Sequence, residues 1–352
     1  MESLADQIRD EIRARGPQPF AWFMQQALYH PQHGYYASGR AAIGRRGDYF
    51  TNVSIGPLFG QFLTFQFVEI WKRLGRTNNF VIVEQGAHDA LFARDVLEFA
   101  RAQFPGFFDA VRYRIVEPFP VLQDRQREML EGRAPSRPGT TQRSSLHSLI
   151  EKVEWSEDVT PFIGVLFSNE LLDSFPVNLG GKRVGLEGDE FILVDSADAQ
   201  PTNQSHLDWI DNVSTNLQRG VAFIIDYGFT RSAWHESLQV RAQHRHLSSP
   251  FEQIGAADIT MHINWTDIAA RAEEKGLPIA GFADQHHFLT GIISKAAELP
   301  ADAKSNRQLQ TLLHPEMLGR AFQVLALSKD VDLATPLAGF TFAREPRAAL
   351  EL

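Results

Sequence analysis

Residues 80–89, FVIVEQGAHD, begin with a continuous apolar run that ends on an acid, Glu84, and is followed by Gly86. Three later runs follow the same plan, namely YRIVEP at 113–118, GVLFSNELLDSFP at 164–176 and VAFIIDYG at 221–228. Helical patterns lie between them, for example at residues 91–101, where apolar side chains recur on one face. Continuous apolar strands that alternate with helices are typical of a parallel sheet covered on both faces. The sequence therefore predicts a doubly wound α/β domain.

Helical patterns precede this domain. A charged opening helix ends at Pro17 and Pro19, and a second helix with one apolar stripe follows it. A third helix, at 57–71, is apolar nearly all round and is expected to be buried on more than one side. We predict a helical N-terminal cap over residues 1–74 and the sheet domain over residues 75–352.

Two segments of the sheet domain are predicted to be insertions. Residues 178–200 contain KRVGLEGDEFILVD, which has the pattern of a hairpin, and residues 285–320 have a helical pattern. Residues 229–265 are predicted to be a loop with a short extended end. The run AFQVLAL is predicted to be the last strand, near Phe322, and we expect it to be antiparallel to the others.

The composition limits the classes of function. The chain has 352 residues, a formal net charge of −9 and no cysteine. The negative charge argues against nucleic-acid binding, whereas an acidic surface attracts a cationic substrate. The absence of cysteine excludes disulfides, thiol catalysis and cysteine-ligated zinc. The start, MESLADQIRDEIRARG, lacks the apolar centre of a secretory signal, and no run reaches the roughly 18 apolar residues of a membrane span. We therefore expect a soluble cytoplasmic protein without a nucleic-acid or membrane partner.

The residues that end the first two strands are candidates for a binding site. In open α/β sheets, ligands bind at the carboxyl ends of the strands, beside the point where the strand order reverses. After Glu84, the small residues Gly86 and Ala87 allow a ligand to approach the backbone closely. Glu117, followed by Pro118, can accept hydrogen bonds from both ribose hydroxyls of a nucleoside cofactor. Each residue also has a purely structural interpretation, and the missing G-x-G-x-x-G motif weakens a dinucleotide interpretation.

Nine segments, spread over most of the chain, occur in a specific order although each alone is unspecific. They are LYHPQHGYY, GDYFTNVSIGPLFG, VEQGAHD, RIVEP, SNELLDSFPV, IDYG, GAADITMHINW, QHHFL and FQVLALSKD. In this order they resemble the MidA family of S-adenosylmethionine-dependent methyltransferases, whose mitochondrial members act as arginine methyltransferases in complex I assembly. The resemblance implies a seven-stranded Rossmann-like methyltransferase sheet, S-adenosylmethionine as the methyl donor, and an arginine side chain of a protein as the acceptor.

The resemblance also implies where the cofactor binds. It places cofactor contacts at Glu84, Gly86 and Glu117. It further implies that residues 34–51 close over the cofactor, and Asp48 and Thr51 of this segment are candidate cofactor or acceptor contacts.

His88 departs from the family pattern. The first-strand motif of the family reads Glu-x-Gly-x-Gly, and His88 stands where the second glycine is expected. Histidine adopts a positive φ only at some cost. Either the turn relaxes around His88, or cofactor binding is weakened or lost. A catalytic base and a solvated turn residue are further interpretations of His88.

The third and fourth strand ends are the candidates for catalysis. A guanidinium is a poor nucleophile because its lone pairs are delocalised, but a carboxylate can orient it by a bidentate pair and take the released proton. We predict that Glu170 orients the acceptor and that Asn169 contacts both cofactor and acceptor. Asp226 or Asp173 would support Glu170. Asp173 can instead brace a loop, and Asp226 can be a simple turn residue.

Two further groups of polar residues are expected near the site. Asp258, Thr260 and His262 lie in a segment that resembles the D-I-T-x-H segment of the family and is expected near the acceptor side. Tyr35 and Tyr36 can wall the pocket or pin their loop to the core.

Alternative functions stay open at this point. A non-catalytic assembly or scaffolding protein would keep the fold without the cofactor, and His88 is its main support. A nicotinamide-dependent oxidoreductase would need a glycine-rich pyrophosphate loop, which is missing. The histidine spacings match no zinc pattern, so we expect no metal. The sequence does not fix the acceptor, the number of methyl groups or the oligomeric state, for which a homodimer is one option.

Overall fold

A computed structural model describes residues 3–39, 51–132, 147–197, 202–243, 245–296 and 303–352. The helices in these ranges are α1 Leu4–Arg15, α2 Phe20–Tyr29, α3 Asn52–Ile55, α4 Leu58–Arg73, α5 Leu91–Gln103, α6 Pro105–Ala110, α7 Pro120–Leu130, α8 His147–Ile150, α9 Gln204–Asn216, α10 Trp265–Glu274, α11 Gln285–Ile293, α12 Ala303–Leu313 and α13 Pro346–Ala349. The strands are β1 Gln18–Pro19, β2 Phe80–Gln85, β3 Val111–Val116, β4 Val153–Ser156, β5 Phe162–Asn169, β6 Lys182–Glu187, β7 Glu190–Asp195, β8 Leu217–Asp226, β9 Gly228–Phe229, β10 Leu238–Ala242, β11 Arg245–His246, β12 Asp258–Met261, β13 Ile263–Asn264, β14 Ile279–Asp284 and β15 Gln323–Lys329.

A seven-stranded sheet with the order β14-β15-β8-β5-β2-β3-β4 forms the centre of the fold. The strands β4, β3, β2, β5 and β8 pair in parallel, whereas β15 is antiparallel to both β8 and β14. The predicted doubly wound sheet with an antiparallel last strand near Phe322 is therefore confirmed. The strand order reverses between β2 and β5, so the carboxyl ends of these two strands flank a crevice.

Alternate side chains of β2 enter two separate cores, which explains its continuous apolar sequence. Phe80 and Ile82 pack in the core that includes residues of α4 and α5. Val81 and Val83 pack in the core on the other face, which includes residues of α9 and α10. Because helices cover both faces, both sets of side chains are apolar until Glu84, at the end of the strand.

Two glycines let the central strands approach each other closely. Gly164 of β5 pairs with both Val81 of β2 and Gly220 of β8. A Cβ atom on Gly164 would lie 2.1 Å from the Val81 carbonyl oxygen, and one on Gly220 would lie 1.8 Å from the Gly164 carbonyl oxygen. Both glycines have a φ near +140° (143° and 140°), which other residues rarely adopt.

The helices α1 and α2 share a third core with the hairpin β6–β7 and the small sheet β11-β10-β12. The hairpin has the position predicted from the sequence, and its strand β6 pairs with β1. The prediction of a loop with a short extended end over residues 229–265 was incomplete. The strand β12 lies in the predicted extended end, but β10 also forms and pairs with it antiparallel. Their alternating buried residues are few, Val240 and Ala242 in β10 and Ile259 and Met261 in β12, so the pattern is too short to stand out.

Within the described ranges, no helix combines the length and the apolarity that crossing a membrane requires. Nor does any group of three or more histidine, aspartate or glutamate side chains in those ranges form a candidate metal site.

Candidate active site at the carboxyl edge of the sheet

A cavity of ≈ 750 Å³ lies at the carboxyl ends of β2, β3 and β5. We call it the first cavity. The predicted cofactor residues that line it are Thr51, Glu84, Gly86, Ala87, Glu117, Pro118 and Asn169, and the predicted catalytic residue Glu170 lines it too. Asp226 is not part of its wall, and Asp48 lies outside the described residues. The volume is within the usual range for small-molecule and cofactor sites.

The turn after β2 has a left-handed backbone at both glycine positions of the family motif, although only the first, Gly86, is a glycine. Gly86 has a φ of 83° and His88 a φ of 48°. A Cβ atom on Gly86 would lie 3.3 Å from Leu171 Cδ1, so the turn and the loop after β5 are close. The Gln126 amide donates to the His88 carbonyl oxygen at 3.1 Å, which helps to fix this conformation. Histidine thus adopts the backbone geometry that the family pattern assigns to glycine.

Glu84 is a buried carboxyl group at the end of β2. The Tyr113 hydroxyl, on the neighbouring β3, donates to Glu84 Oε2 at 2.6 Å. Burial raises the pKa of Glu84 to about 8, and the bond from Tyr113 opposes this rise. The group therefore gains from any further donor or cation that reaches it in the first cavity.

Glu117 follows β3 and is held in place by neighbours on α7 and β4. The Phe119 N–H donates to Glu117 Oε1 and the Gln126 amide to Oε2, each at 3.1 Å. The Trp155 indole N–H donates to Gln126 Oε1 at 2.8 Å, which orients that amide. Burial raises the pKa of Glu117 to about 7, and the two donors oppose this rise.

Asn169 and Glu170 form a hydrogen-bonded chain with Asn52, which the sequence did not indicate. Asn52 Nδ2 donates to Asn169 Oδ1 at 2.9 Å, and Asn169 Nδ2 donates to Glu170 Oε1 at 2.9 Å. Glu170 has a φ of 53°, a strained conformation for a glutamate, and its N–H donates to the Ile225 carbonyl oxygen at 2.9 Å. Burial raises the pKa of Glu170 to about 8, and the charge of Asp226 adds to this effect.

Asp226 lies behind the first cavity and is fully buried. Its Oδ2 accepts the N–H groups of Leu172 and Asp173 at 2.9 and 3.2 Å, and its Oδ1 accepts the Tyr227 N–H at 2.8 Å. These bonds hold the turn that follows Glu170. Asp226 therefore supports the loop that carries Glu170 and does not face the cavity.

A second cavity, of ≈ 130 Å³, adjoins the first. Its wall consists of Tyr36, Glu170, Asp173, Tyr227, Gln239, Arg241, Asp258, Thr260 and His262. Tyr36 and Glu170 line both cavities, so these two side chains stand where the cavities meet. The segment resembling D-I-T-x-H, with Asp258, Thr260 and His262, thus lies beside Glu170. Tyr227, which follows β8, is a further residue of this wall.

Comparison with known proteins identifies the family. Residues 62–187 and 199–283 match the family model described as "Putative S-adenosyl-L-methionine-dependent methyltransferase". The chain belongs to this family. The resemblance read from the motifs and the predicted methyl donor, S-adenosylmethionine, are thereby confirmed.

Curated relatives match this methyltransferase over almost its whole length. The protein arginine methyltransferase NDUFAF7 homolog, mitochondrial, of Drosophila melanogaster is 25% identical, over 96% of this chain and 89% of its own. Protein arginine methyltransferase NDUFAF7, mitochondrial, of Danio rerio is 24% identical, over 97% of this chain and 92% of its own. These relatives are named as mitochondrial proteins, so the prediction of a cytoplasmic location is wrong.

A crystal structure of a Burkholderia thailandensis protein bound to S-adenosyl-homocysteine has the same architecture. It is 26% identical to this methyltransferase, superposes with a TM-score of 0.84, and is matched over 98% of this chain and 96% of its own. The whole fold, including the N-terminal helices, is therefore shared with a solved protein.

The residues around the first cavity fit S-adenosylmethionine. Gly86 brings the backbone of the turn to the cavity wall with no side chain in between. Glu117 offers a buried carboxyl group that gains from new donors, as ribose hydroxyls are. The cationic sulfonium also suits a cavity whose wall contains Glu84 and Glu170.

Proposed function

We propose that this protein transfers a methyl group from S-adenosylmethionine to the guanidinium group of an arginine side chain in a protein. The observation that carries the proposal is the position of Glu170, which lines the first cavity and the second cavity at once. A carboxylate at this junction can hold a cationic acceptor beside the donor. The arginine methyltransferase names of the relatives support the same acceptor.

The proposed cofactor contacts are made by residues at three strand ends. Glu117 binds the ribose, the turn at Gly86 and Ala87 lies against the nucleoside, and Glu84 and Asn169 complete the polar wall. Thr51, Pro118 and, outside the described residues, Asp48 are further proposed contacts. When bound, S-adenosylmethionine supplies an electrophilic methyl group on a cationic sulfur.

Glu170 performs the central step on the acceptor. Its carboxylate orients the guanidinium and localises the positive charge on the nitrogens that do not react. As the attacking nitrogen forms its bond to the methyl carbon and the carbon–sulfur bond breaks, that nitrogen must lose a proton. In the free protein, burial raises the pKa of Glu170 to about 8. The paired guanidinium favours the ionised carboxylate, which can then take this proton. Asn169 and Asn52 keep Glu170 in its strained conformation.

A transfer assay tests the proposal. The protein is incubated with tritiated S-adenosylmethionine and a degenerate peptide library with arginine fixed at the centre, and the hydrolysate is separated into methylated amino acids. We expect methylarginine, a loss of roughly 100-fold or more in Glu170→Gln, and S-adenosylhomocysteine binding retained in that variant.

The alternative, a scaffolding protein without a cofactor, predicts no methylated amino acid in the transfer assay. In a parallel calorimetric titration, the wild-type protein would then show no binding of S-adenosylhomocysteine. Methylation of lysine or of a hydroxyl group in a parallel library would refute arginine as the acceptor but leave the methyltransferase activity in place.

A further inference from the structure

We propose that the second cavity is a binding site for a planar side-chain cation, in which Asp173 and Asp258 accept hydrogen bonds and the rings of Tyr36 and Tyr227 form the apolar wall. This inference rests on the proposed function, because it assigns the part of the site that distinguishes an arginine guanidinium from a lysine ammonium.

The carboxyl groups of this cavity favour a cation. Glu170, Asp173 and Asp258 line it, against one guanidinium, that of Arg241, and Asp226 is buried directly behind the first two. Burial and the neighbouring carboxylates raise the pKa of Asp173 well above its usual value. Asp173 is only 8% exposed, and in the described part of the chain it takes part in no ion pair. A cation in the cavity would relieve the repulsion between these groups.

Two nitrogen atoms of the wall also need a ligand. Arg241 Nε and His262 Nδ1 are buried, and neither has a hydrogen-bond partner among the described residues. The Arg241 guanidinium is anchored through Nη2, which donates to Gln239 Oε1 at 2.6 Å. Because Arg241 Nε can only donate, a ligand that offers an acceptor in addition to its positive charge can pair with it. An arginine residue has both, since its main-chain carbonyl is an acceptor.

The aromatic wall is rigid, and its rigidity favours a flat ligand. The Tyr36 hydroxyl donates to Asp258 Oδ1 at 2.6 Å, and its ring stacks on Tyr29 with centroids 5.5 Å apart. The Tyr227 ring packs on the Phe322 ring, with the ring centroids 4.1 Å apart. A guanidinium is planar and weakly hydrated and stacks on aromatic rings, whereas an ammonium is compact and strongly hydrated. A fixed wall of this kind therefore binds arginine in preference to lysine.

The test uses two small probes, so that it does not depend on the unknown protein substrate. N-acetylarginine methylamide and N-acetyllysine methylamide are titrated into the protein saturated with S-adenosylhomocysteine, and binding is followed by ligand-observed NMR. We expect the arginine probe to bind at least about tenfold more tightly than the lysine probe. Asp258→Asn should lose about tenfold or more in affinity for the arginine probe, whereas Asp195→Asn, on the exposed hairpin β6–β7, should lose nothing.

Two substitutions of Tyr227 test the ring itself. Tyr227→Phe keeps the ring and should keep the preference for arginine, whereas Tyr227→Leu should reduce that preference severalfold. Both variants should bind S-adenosylhomocysteine like the wild type, because Tyr227 lines only the second cavity. Should Asp258→Asn fail to fold, Asp173→Asn takes its place.

The outcomes separate this inference from the proposed function. Equal affinity for the two probes, no binding of either at millimolar concentration, or unchanged binding in both the aspartate and the Tyr227→Leu variants would overturn the inference. Methylarginine formed in the library assay together with such a result would leave the proposed function intact. Selective arginine binding without any methyl transfer would support the binding site and refute the transfer reaction.

Discussion

Replacing Glu117 with glutamine should weaken S-adenosylhomocysteine binding and remove the part of its pH dependence that comes from this carboxyl group. In the free protein, burial raises the pKa of Glu117 to about 7. Hydroxyl groups that donate to the carboxylate favour its ionised form, so binding lowers this pKa. Below about pH 7 the carboxyl group must therefore lose a proton before it can bind, and the affinity falls as the pH falls.

The size of the effect follows from the two pKa values. If the bound state returns Glu117 to about 4.5, the affinity falls by roughly 30-fold between about pH 8 and about pH 5.5. Near pH 6 the wild-type protein should release about one proton per ligand bound from this group. Glutamine does not ionise and forms weaker bonds, worth ~1.5–3 kcal/mol less in total, so at about pH 8 its affinity should be roughly 10- to 150-fold lower than that of the wild type.

Calorimetric titration across this pH range measures the affinity, and repeating it in buffers of different ionisation enthalpy measures the number of protons released. The affinities of the wild-type protein and of Glu117→Gln should approach each other as the pH falls. A wild-type affinity that does not change with pH would refute the reasoning. The same slope in Glu117→Gln would assign the pH dependence to another group, such as Glu84, and refute the role of Glu117.

Three further predictions concern stability and can be checked by urea unfolding. Gly164→Ala places its Cβ atom 2.1 Å from the Val81 carbonyl oxygen and should cost more than ~3 kcal/mol, whereas Gly75→Ala, with open space around it, should cost only ~1 kcal/mol. His88→Gly relieves a φ of 48° and should raise the unfolding free energy by at most ~1 kcal/mol without changing S-adenosylhomocysteine affinity; a large loss of affinity would show that the imidazole itself binds the cofactor. Asp226→Ala leaves three backbone N–H groups without their acceptor and should cost ~2–4 kcal/mol while also lowering transfer, and a variant of wild-type stability would contradict the role given to this residue.

The fold was predictable from the sequence because β2, β5 and β8 are buried on both faces and so have long apolar runs. Arg112 and Arg114 interrupt β3, which was recognised from its buried last residues and the acid that follows them. The short edge strand β4 and the strand β10 were missed, and β12 was predicted only as the extended end of a loop. Their alternating patterns extend over only four or five residues and lie among polar neighbours, so they resemble loops.

The first cavity was predictable for a similar reason, since parallel strands bring their carboxyl ends to one edge. The contacts across the molecule were not predictable. Asn52 reaches Asn169 across 117 positions of sequence, and Tyr36 reaches Asp258 across 222. Such pairs depend on how the N-terminal segment folds back over the sheet, which no local pattern encodes.

The walls of the two cavities have different origins in the chain, and this difference has an evolutionary consequence. Asp173, Tyr227 and Asp258 line the second cavity but not the first, and they lie outside the turn that follows β2. In the proposed reaction, substitutions of these residues change the acceptor while the proposed cofactor contacts are inherited unaltered. Glu170 and Tyr36, which border both cavities, are the residues least free to drift. A mutational library confined to the second wall would be the natural starting point for retargeting this enzyme.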